Sequence, residues 1–281
     1  MKTGMNLLLW TTNVNEDSFQ LISDLGEIGF DGVEIPIGEG DEAQYTAVRT
    51  ELDKLGMGCT TVTSVDPETN PISSESSIRD AALERLKWAI NMTAAAGGDV
   101  MCGPFHSAFK AFAGRGPTED EKKWGAAVLR DAAEYAESMN VKLCLEFINR
   151  FECYFLNTVA DTKAFVQMVD HPNMKMLYDT HHSHIEEKNI SDALHSCKDI
   201  LGHFHIAEND RGTPGKGQVN WEETFKVLKE IKYDDWMVIE SFSADVPDFA
   251  ASINVWRNYA SSRDEIARDG LQFIKKMWSS V

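Results

Sequence analysis

The feature of this sequence that most constrains its fold is an eightfold alternation of short apolar runs with longer segments of helical spacing. Strict alternation of strands and helices is typical of a parallel sheet, and eight such units favour a closed (β/α)8 barrel. An open doubly wound sheet stays the structural alternative. The predicted strands are residues 5–10, 32–37, 58–64, 99–105, 142–148, 175–180, 201–207 and 237–242.

The predicted helices follow the strands, and several of them carry the expected end signals. Short polar residues at their N-terminal ends accept hydrogen bonds from free N–H groups, and glycines occupy positions where helices stop. No linker or low-complexity segment interrupts the pattern, so we predict one α/β domain, a single TIM barrel over residues 1–281 with a C-terminal helix. The predicted helices are residues 17–28, 41–55, 75–96, 118–140, 158–169, 190–196, 221–231 and 262–278.

Charge and cysteine content narrow the choice of partners and compartment. The formal net charge is −18, whereas phosphate binding relies on clustered basic residues, so we expect no nucleic-acid partner. The five cysteines form no C-x-x-C pair, which argues against a disulfide framework. Because no apolar run resembles a signal peptide or reaches membrane-spanning length, we expect a cytoplasmic protein with no membrane partner.

Polar residues end the last four predicted strands. In a (β/α)8 barrel the carboxyl ends of the strands meet at one mouth, where ligands bind, so we expect these side chains to converge. Each of them could instead be an ordinary strand-end residue in a local salt bridge. The four residues are Glu146, Asp179, His205 and Glu240.

Three carboxylates in one barrel mouth repel one another unless they are protonated, paired or bound to a cation. A divalent metal is the simplest way to hold them together. Oxygen ligands with a single nitrogen suit Mn²⁺, Mg²⁺ or Co²⁺ better than a closed structural zinc site, and they leave positions open for substrate oxygens. The sequence therefore predicts a divalent metal centre, with Mn²⁺ as our first choice.

Further candidate residues lie in the predicted loops at the same mouth. Glu152, His182 and Arg211 are candidates for hydrogen bonds to substrate, whereas Arg150 could equally form an ion pair within a loop. His203 shares a strand face with His205, either as a supporting partner or as packed core.

Two more candidates come from the ends of other predicted strands. Trp10 ends the first and His106 follows the fourth, so both are candidates for lining the substrate pocket.

At several motifs the sequence resembles the ketose 3-epimerases, the D-tagatose and D-psicose 3-epimerases of the xylose isomerase-like barrels. The resemblance runs from Gly4 to the last helix, while wall positions such as Trp10, His181 and Ser241 depart from the family and leave the sugar open. The motifs are Glu146-x-x-Asn149-Arg150-Phe151-Glu152, Asp179-Thr-x-His182, Gly202-His-Phe-His205, Gly215-Lys-Gly217 and Val255-Trp256-Arg257.

The resemblance implies a reaction and a role for each candidate residue. It implies epimerisation of a ketose at C3 through a cis-enediolate, with Glu146 and Glu240 as the acid/base pair. It also implies a sugar substrate and a homodimer or homotetramer. The metal ligands would be Glu146, Asp179, His205 and Glu240, and the substrate contacts Glu152, His182 and Arg211.

Alternatives to this function stay open. An aldose–ketose isomerase uses the same enediolate, and a metal-dependent enzyme could act on a modified keto-sugar. A non-catalytic sugar-binding barrel is the alternative from outside enzymes, although such a protein has no chemical need for two carboxylates beside one metal.

Overall fold

The structure, a computed structural model that describes residues 1–280, is built around eight parallel strands. Each strand pairs with the next one along the chain and β8 pairs with β1, which closes the sheet. The predicted single-domain (β/α)8 barrel is confirmed, and the open-sheet alternative is wrong. The strands are β1 (Lys2–Asn6), β2 (Gly32–Pro36), β3 (Gly58–Val62), β4 (Val100–Gly103), β5 (Lys142–Glu146), β6 (Met174–Asp179), β7 (Leu201–Ile206) and β8 (Trp236–Ile239).

The α-helices form a ring outside the barrel, and their apolar faces pack against the strands. All eight predicted helices are present, with ends that differ by a few residues. Residue 281, the last of the predicted domain, lies outside the described residues. The helices are α1 (Phe19–Ile28), α2 (Glu42–Leu55), α3 (Ser76–Ala95), α4 (Glu119–Ser138), α5 (Val159–Val169), α6 (Thr180–Glu186), α7 (Ile190–Cys197), α8 (Trp221–Glu230), α9 (Pro247–Ser252) and α10 (Arg263–Ser280).

The first strand differs from its prediction. Residues 5–10 were predicted as strand because they are almost all apolar, but β1 is Lys2–Asn6, and Leu7–Leu9 form a 3-10 helix. The Asn6 side chain begins this turn by accepting a hydrogen bond of 2.8 Å from the N–H of Leu8. An apolar run of this length does not distinguish a buried strand from a buried helical turn.

Strand register places the polar side chains of the barrel interior side by side. Asn6 is opposite Glu34, and Glu34 is opposite Thr60, across the first three strands. Asp179 is opposite His205 between β6 and β7. Polar side chains from β1–β3 and from β6–β7 therefore lie inside the barrel, next to the apolar core.

Among the helices of residues 1–280, none combines the length and the apolar character that crossing a bilayer requires.

Candidate active site and metal centre

The four strand-end residues that the sequence singled out meet at the mouth of the barrel. Glu146 is the last residue of β5, Asp179 the last of β6, His205 lies in β7 and Glu240 directly follows β8. All four are buried, and each offers a ligand atom within 4.8 Å of the others. A carboxylate-rich site with one imidazole therefore exists at the carboxyl ends of the strands.

The donor atoms of this cluster fit a divalent cation. The Nδ1 atom of His205 lies 3.5 Å from a carboxylate oxygen of Glu240, 3.6 Å from Asp179 and 3.9 Å from Glu146. This nitrogen is fully buried and has no hydrogen-bond partner among the residues that the structure describes. A buried polar atom without a partner is costly, and a metal bound among these four groups would satisfy it.

The pKa values report how strongly the ligands interact. Burial, and then repulsion by Glu240, raises the pKa of Glu146 well above its ordinary value. Burial would lower the pKa of His205, but the carboxylates of Glu34 and Glu240 raise it well above its ordinary value. The site thus attracts positive charge, as a metal centre must.

Asp179 shapes the segment that follows it. Its Oδ1 accepts hydrogen bonds from the N–H groups of His181 at 2.6 Å and of His182 at 3.1 Å, which begins helix α6. The sequence analysis treated this segment as a loop, which is wrong, because a strand-end aspartate can serve as the N-cap of a helix. The helix places His182 in the site.

His182 presents its outer nitrogen to the mouth. The N–H of Asn149 donates to Nδ1 of His182 at 3.1 Å, and Nη2 of Arg211, which can only donate, lies 3.1 Å from Nε2. That nitrogen is 3.6 Å from Oε1 of Glu146. Glu152 lies 3.9 Å from the other ring nitrogen, and burial raises the pKa of its carboxyl group.

Arg211 supplies the positive charge next to the carboxylates. Its Nη1 group donates to Asp179 at 3.0 Å and to Glu240 at 2.7 Å. The guanidinium also lies over the ring of Phe242. Its φ of 63° is in the left-handed region, which a side chain this large adopts only when its surroundings demand it. The hydroxyl of Ser241 donates to the carbonyl of Arg211 and holds that conformation.

Glu208 is a buried residue beside the site whose role was not predicted from the sequence. Its fully buried carboxylate accepts hydrogen bonds from the backbone N–H groups of Gly215 at 2.9 Å, Gln218 at 3.1 Å and Val219 at 3.0 Å, and from the indole of Trp221 at 2.9 Å. The segment that carries the Gly215-Lys-Gly217 motif therefore encloses a carboxylate of this chain. The loop that carries Arg211 is built around it.

Glu34 is the second residue that the sequence analysis missed. It is fully buried inside the barrel and contacts His203 and His205 at 2.8 Å each. Burial would raise the pKa of Glu34, but His205 and then His203 lower it well below its ordinary value. Its signal in the sequence is a charged residue in the middle of a predicted buried strand, which needs a partner.

A cavity of about 450 Å³ opens beside the candidate metal site. Glu146, Glu152, His182, Arg211 and Glu240 line it together with apolar side chains, a mixture typical of small-molecule sites. The apolar part of the wall includes Leu8, Phe109, Phe242, Phe249, Ile253 and Val255.

Three predicted residues lie outside this cavity wall. His106 is fully buried and bonds Ser107 at 2.8 Å, and Trp10 follows the 3-10 helix and packs against the core, so neither is among the described residues that line the cavity. Their contact with substrate stays a prediction. Arg150 pairs with Glu186 at 2.7 Å, which is the loop ion pair considered above.

Comparison with known proteins identifies the family to which the chain belongs. The sequence pattern of the xylose isomerase-like TIM barrels matches residues 22–277, nearly the whole chain. The chain belongs to the xylose isomerase-like TIM barrel family.

Individual similar proteins show which enzymes the chain resembles. The chain is 28% identical over 284 residues to the ketose 3-epimerase of Arthrobacter globiformis, covering 100% of this chain and 98% of the relative. It is 30% identical over 271 residues to the D-psicose 3-epimerase of Ruminiclostridium cellulolyticum, covering 94% and 92%. A crystal structure of D-allulose 3-epimerase from Methylomonas sp. in complex with D-allulose superposes with a TM-score of 0.92 at 27% identity, covering 99% of this chain and 97% of that one. These relatives are epimerases, so the chain is an isomerase, as predicted.

Proposed function

We propose that this protein is a divalent-metal-dependent ketose 3-epimerase. The observation that carries the proposal is the convergence of Glu146, Asp179, His205 and Glu240 to within 4.8 Å, with Nδ1 of His205 among the carboxylates. Two of the four, Glu146 and Glu240, line the cavity. Full-length similarity to proteins named ketose 3-epimerase supports the same reaction.

The four residues would hold the metal through three carboxylates and one imidazole nitrogen. When bound, the metal supplies a positive charge that stabilises the negative charge developing on the ketose oxygens as C3 loses its proton. This ligand set favours Mn²⁺, with Mg²⁺ and Co²⁺ as the other candidates.

Glu146 and Glu240 form the acid/base pair. They reach the site from β5 and β8, on either side of the two strands that carry Asp179 and His205, and therefore face a bound ketose from two directions. One carboxylate removes the proton from C3, and the other donates a proton to the opposite face of the same carbon. Configuration at C3 is inverted and no atom other than hydrogen is exchanged.

The remaining polar residues of the wall bind and orient the sugar. His182 offers its ring nitrogen Nε2, and Glu152 offers acceptor oxygens, both in the wall of the cavity. Arg211 offers N–H donors beside Glu240. These three groups would hold the sugar hydroxyls so that C3 lies between the two glutamates.

The oligomeric state, compartment and partners of the protein remain predictions from the sequence. We expect a homodimer or homotetramer in the cytoplasm that binds a small sugar and no nucleic acid. Sedimentation of the purified protein tests its oligomeric state, and a sugar-binding assay tests its ligand.

The test is product analysis with fructose, psicose, tagatose, sorbose and ribulose, each with Mn²⁺, Mg²⁺ or Co²⁺. The proposal predicts the C3 epimer of at least one ketose, and loss of turnover after chelation. An aldose product would instead establish an aldose–ketose isomerase. Turnover only of an oxidised or derivatised sugar would establish the modified-sugar alternative, and sugar binding without turnover a non-catalytic barrel.

The matched control is Glu121→Gln. Glu121 is a buried carboxylate on α4 that pairs with Arg115 and is not among the described residues that line the cavity, so this variant should keep wild-type turnover. Glu240→Gln makes the same chemical change inside the site and should abolish turnover.

A further inference from the structure

A second layer of polar side chains lies inside the barrel, in contact with the metal ligands, and Glu34 is at its centre. Both oxygens of its carboxylate contact groups that can donate a hydrogen bond, and all of these groups are buried. They come from four different strands, so the layer crosses the barrel interior. The partners are Asn6 Nδ2 at 2.9 Å, Thr60 Oγ1 at 2.8 Å, Cys102 Sγ at 3.1 Å, His203 Nε2 at 2.8 Å and His205 Nε2 at 2.8 Å.

This set of partners defines the chemical state of the carboxylate. An ionised carboxylate only accepts hydrogen bonds, whereas the amide nitrogen of Asn6 only donates them. With Glu34 ionised, all five contacts are satisfied when the Thr60 hydroxyl, the Cys102 thiol and both imidazoles direct a proton at it.

We propose that Glu34 is a positioning residue that fixes the tautomer and the ring orientation of His205. Oε1 of Glu34 accepts a hydrogen bond from the Nε2–H group of His205. The lone pair of Nδ1 on the same ring then points at Glu146, Asp179 and Glu240. Metal-binding histidines commonly donate their other N–H group to a carboxylate, and this contact tunes their affinity for the metal. The inference concerns the metal site of the proposed function and rests on it.

The same layer reaches a second residue of the site. The amide nitrogen of Asn6 donates to Oε1 of Glu34 at 2.9 Å and lies 3.3 Å from Oε1 of Glu240. Asn6 therefore connects the positioning carboxylate to one member of the acid/base pair. Glu34 orients one metal ligand directly and a second one through Asn6.

A second metal ion is the competing explanation of this cluster, since Glu34, Cys102, His203 and His205 also offer atoms within 4.8 Å of one another. The contacts argue for hydrogen bonds instead. Both imidazole nitrogens lie 2.8 Å from oxygens of one carboxylate, which is the spacing of a charge-assisted hydrogen bond.

The experiment compares metal affinity in wild type, Glu34→Gln and Glu121→Gln, by competition with a chelator and with Mn²⁺ as the probe. Glu34→Gln keeps the side-chain size but puts N–H hydrogens where only acceptors fit. It should bind Mn²⁺ roughly 10–100-fold more weakly, the usual effect of losing such a partner. Glu121→Gln makes the same change at a buried carboxylate that is not among the described residues lining the cavity, and it should bind Mn²⁺ like wild type.

The outcomes separate this inference from the proposed function. If the wild type binds no divalent metal, the proposed metal site fails first. If the wild type binds Mn²⁺ and Glu34→Gln binds it equally well, the inference alone is overturned. Two equivalents of metal in the wild type would also overturn it, in favour of the second metal ion.

A measurement on the unmodified protein covers the case in which Glu34→Gln does not fold. Nitrogen-15 NMR of the imidazoles, with Mg²⁺ as a diamagnetic ligand, should show the proton of His205 on Nε2 and a shift of Nδ1 when the metal binds. Protonation at Nδ1 together with a shift of Nε2 would overturn the assigned role of Glu34.

Discussion

Replacing Arg211 with methionine tests whether the carboxylate cluster needs a cation. Arg211 donates to Asp179 at 3.0 Å and to Glu240 at 2.7 Å, and all three side chains are buried. Methionine has a similar length but no charge. The Arg211→Met variant therefore leaves two buried carboxylates without their nearest positive partner when no metal is bound.

The size of the effect follows from these contacts. Removing one partner of a buried ion pair costs about 3–5 kcal/mol, because the remaining charge stays buried. For a chain of this size each kcal/mol changes Tm by roughly 2–3 °C, so we expect the metal-free variant to lose roughly 6–15 °C. A bound divalent cation would balance the same carboxylates, and the deficit should then shrink to less than half.

The assay is urea and thermal unfolding with excess chelator and with Mn²⁺. Arg115→Met is the matched control, since Arg115 is half-exposed and pairs with Glu121 on α4. It should lose about 1 kcal/mol or less, by the same amount with and without metal. An Arg211→Met variant as stable as wild type, or one whose deficit does not depend on metal, would refute this reasoning.

Three further predictions concern the ligands, the loop and the outer helices. Asp179→Asn should chiefly weaken metal binding; unchanged Mn²⁺ content after dialysis would remove Asp179 from the site. Glu208→Ala leaves several buried N–H groups without an acceptor, and at about 1–3 kcal/mol for each such group we expect a loss of at least about 3 kcal/mol in urea unfolding, with reduced turnover because Arg211 loses its support. A wild-type unfolding midpoint would contradict that role. Hydrogen bonding to Arg115 lowers the pKa of Glu121 from 4.5 to about 2, so its contribution to stability is present above pH 4.5 and is lost as the pH falls toward 2. Glu121→Gln should flatten acid unfolding in that range, and an unchanged acid profile would show that the ion pair contributes nothing.

The barrel and the four strand-end residues could be predicted because they depend on repetition and on geometry. Alternating strands and helices leave few topologies, and parallel strands bring their carboxyl ends to one place. Glu146, Asp179, His205 and Glu240 could therefore be grouped although they are far apart in the chain.

Other features depend on contacts that no local pattern contains. Glu34 is 169 residues from His203, and a single glutamate in an apolar strand does not show which strands it faces. The 3-10 helix Leu7–Leu9 and helix α6 depend on caps by Asn6 and Asp179, whose side chains could equally have served only the site. The role of Glu208 depends on a loop that folds back over it.

The central claim is that Glu146 and Glu240 move a proton at C3 of a ketose, and hydrogen exchange at that carbon tests it most directly. The protein is incubated with a ketose it converts and with Mn²⁺ in D₂O, and the product is examined by NMR. We predict one deuterium at C3 of the epimer, and none with Glu240→Gln, which should still fold. Deuterium at C1 of an aldose, or undiminished exchange at C3 by Glu240→Gln, would contradict the account.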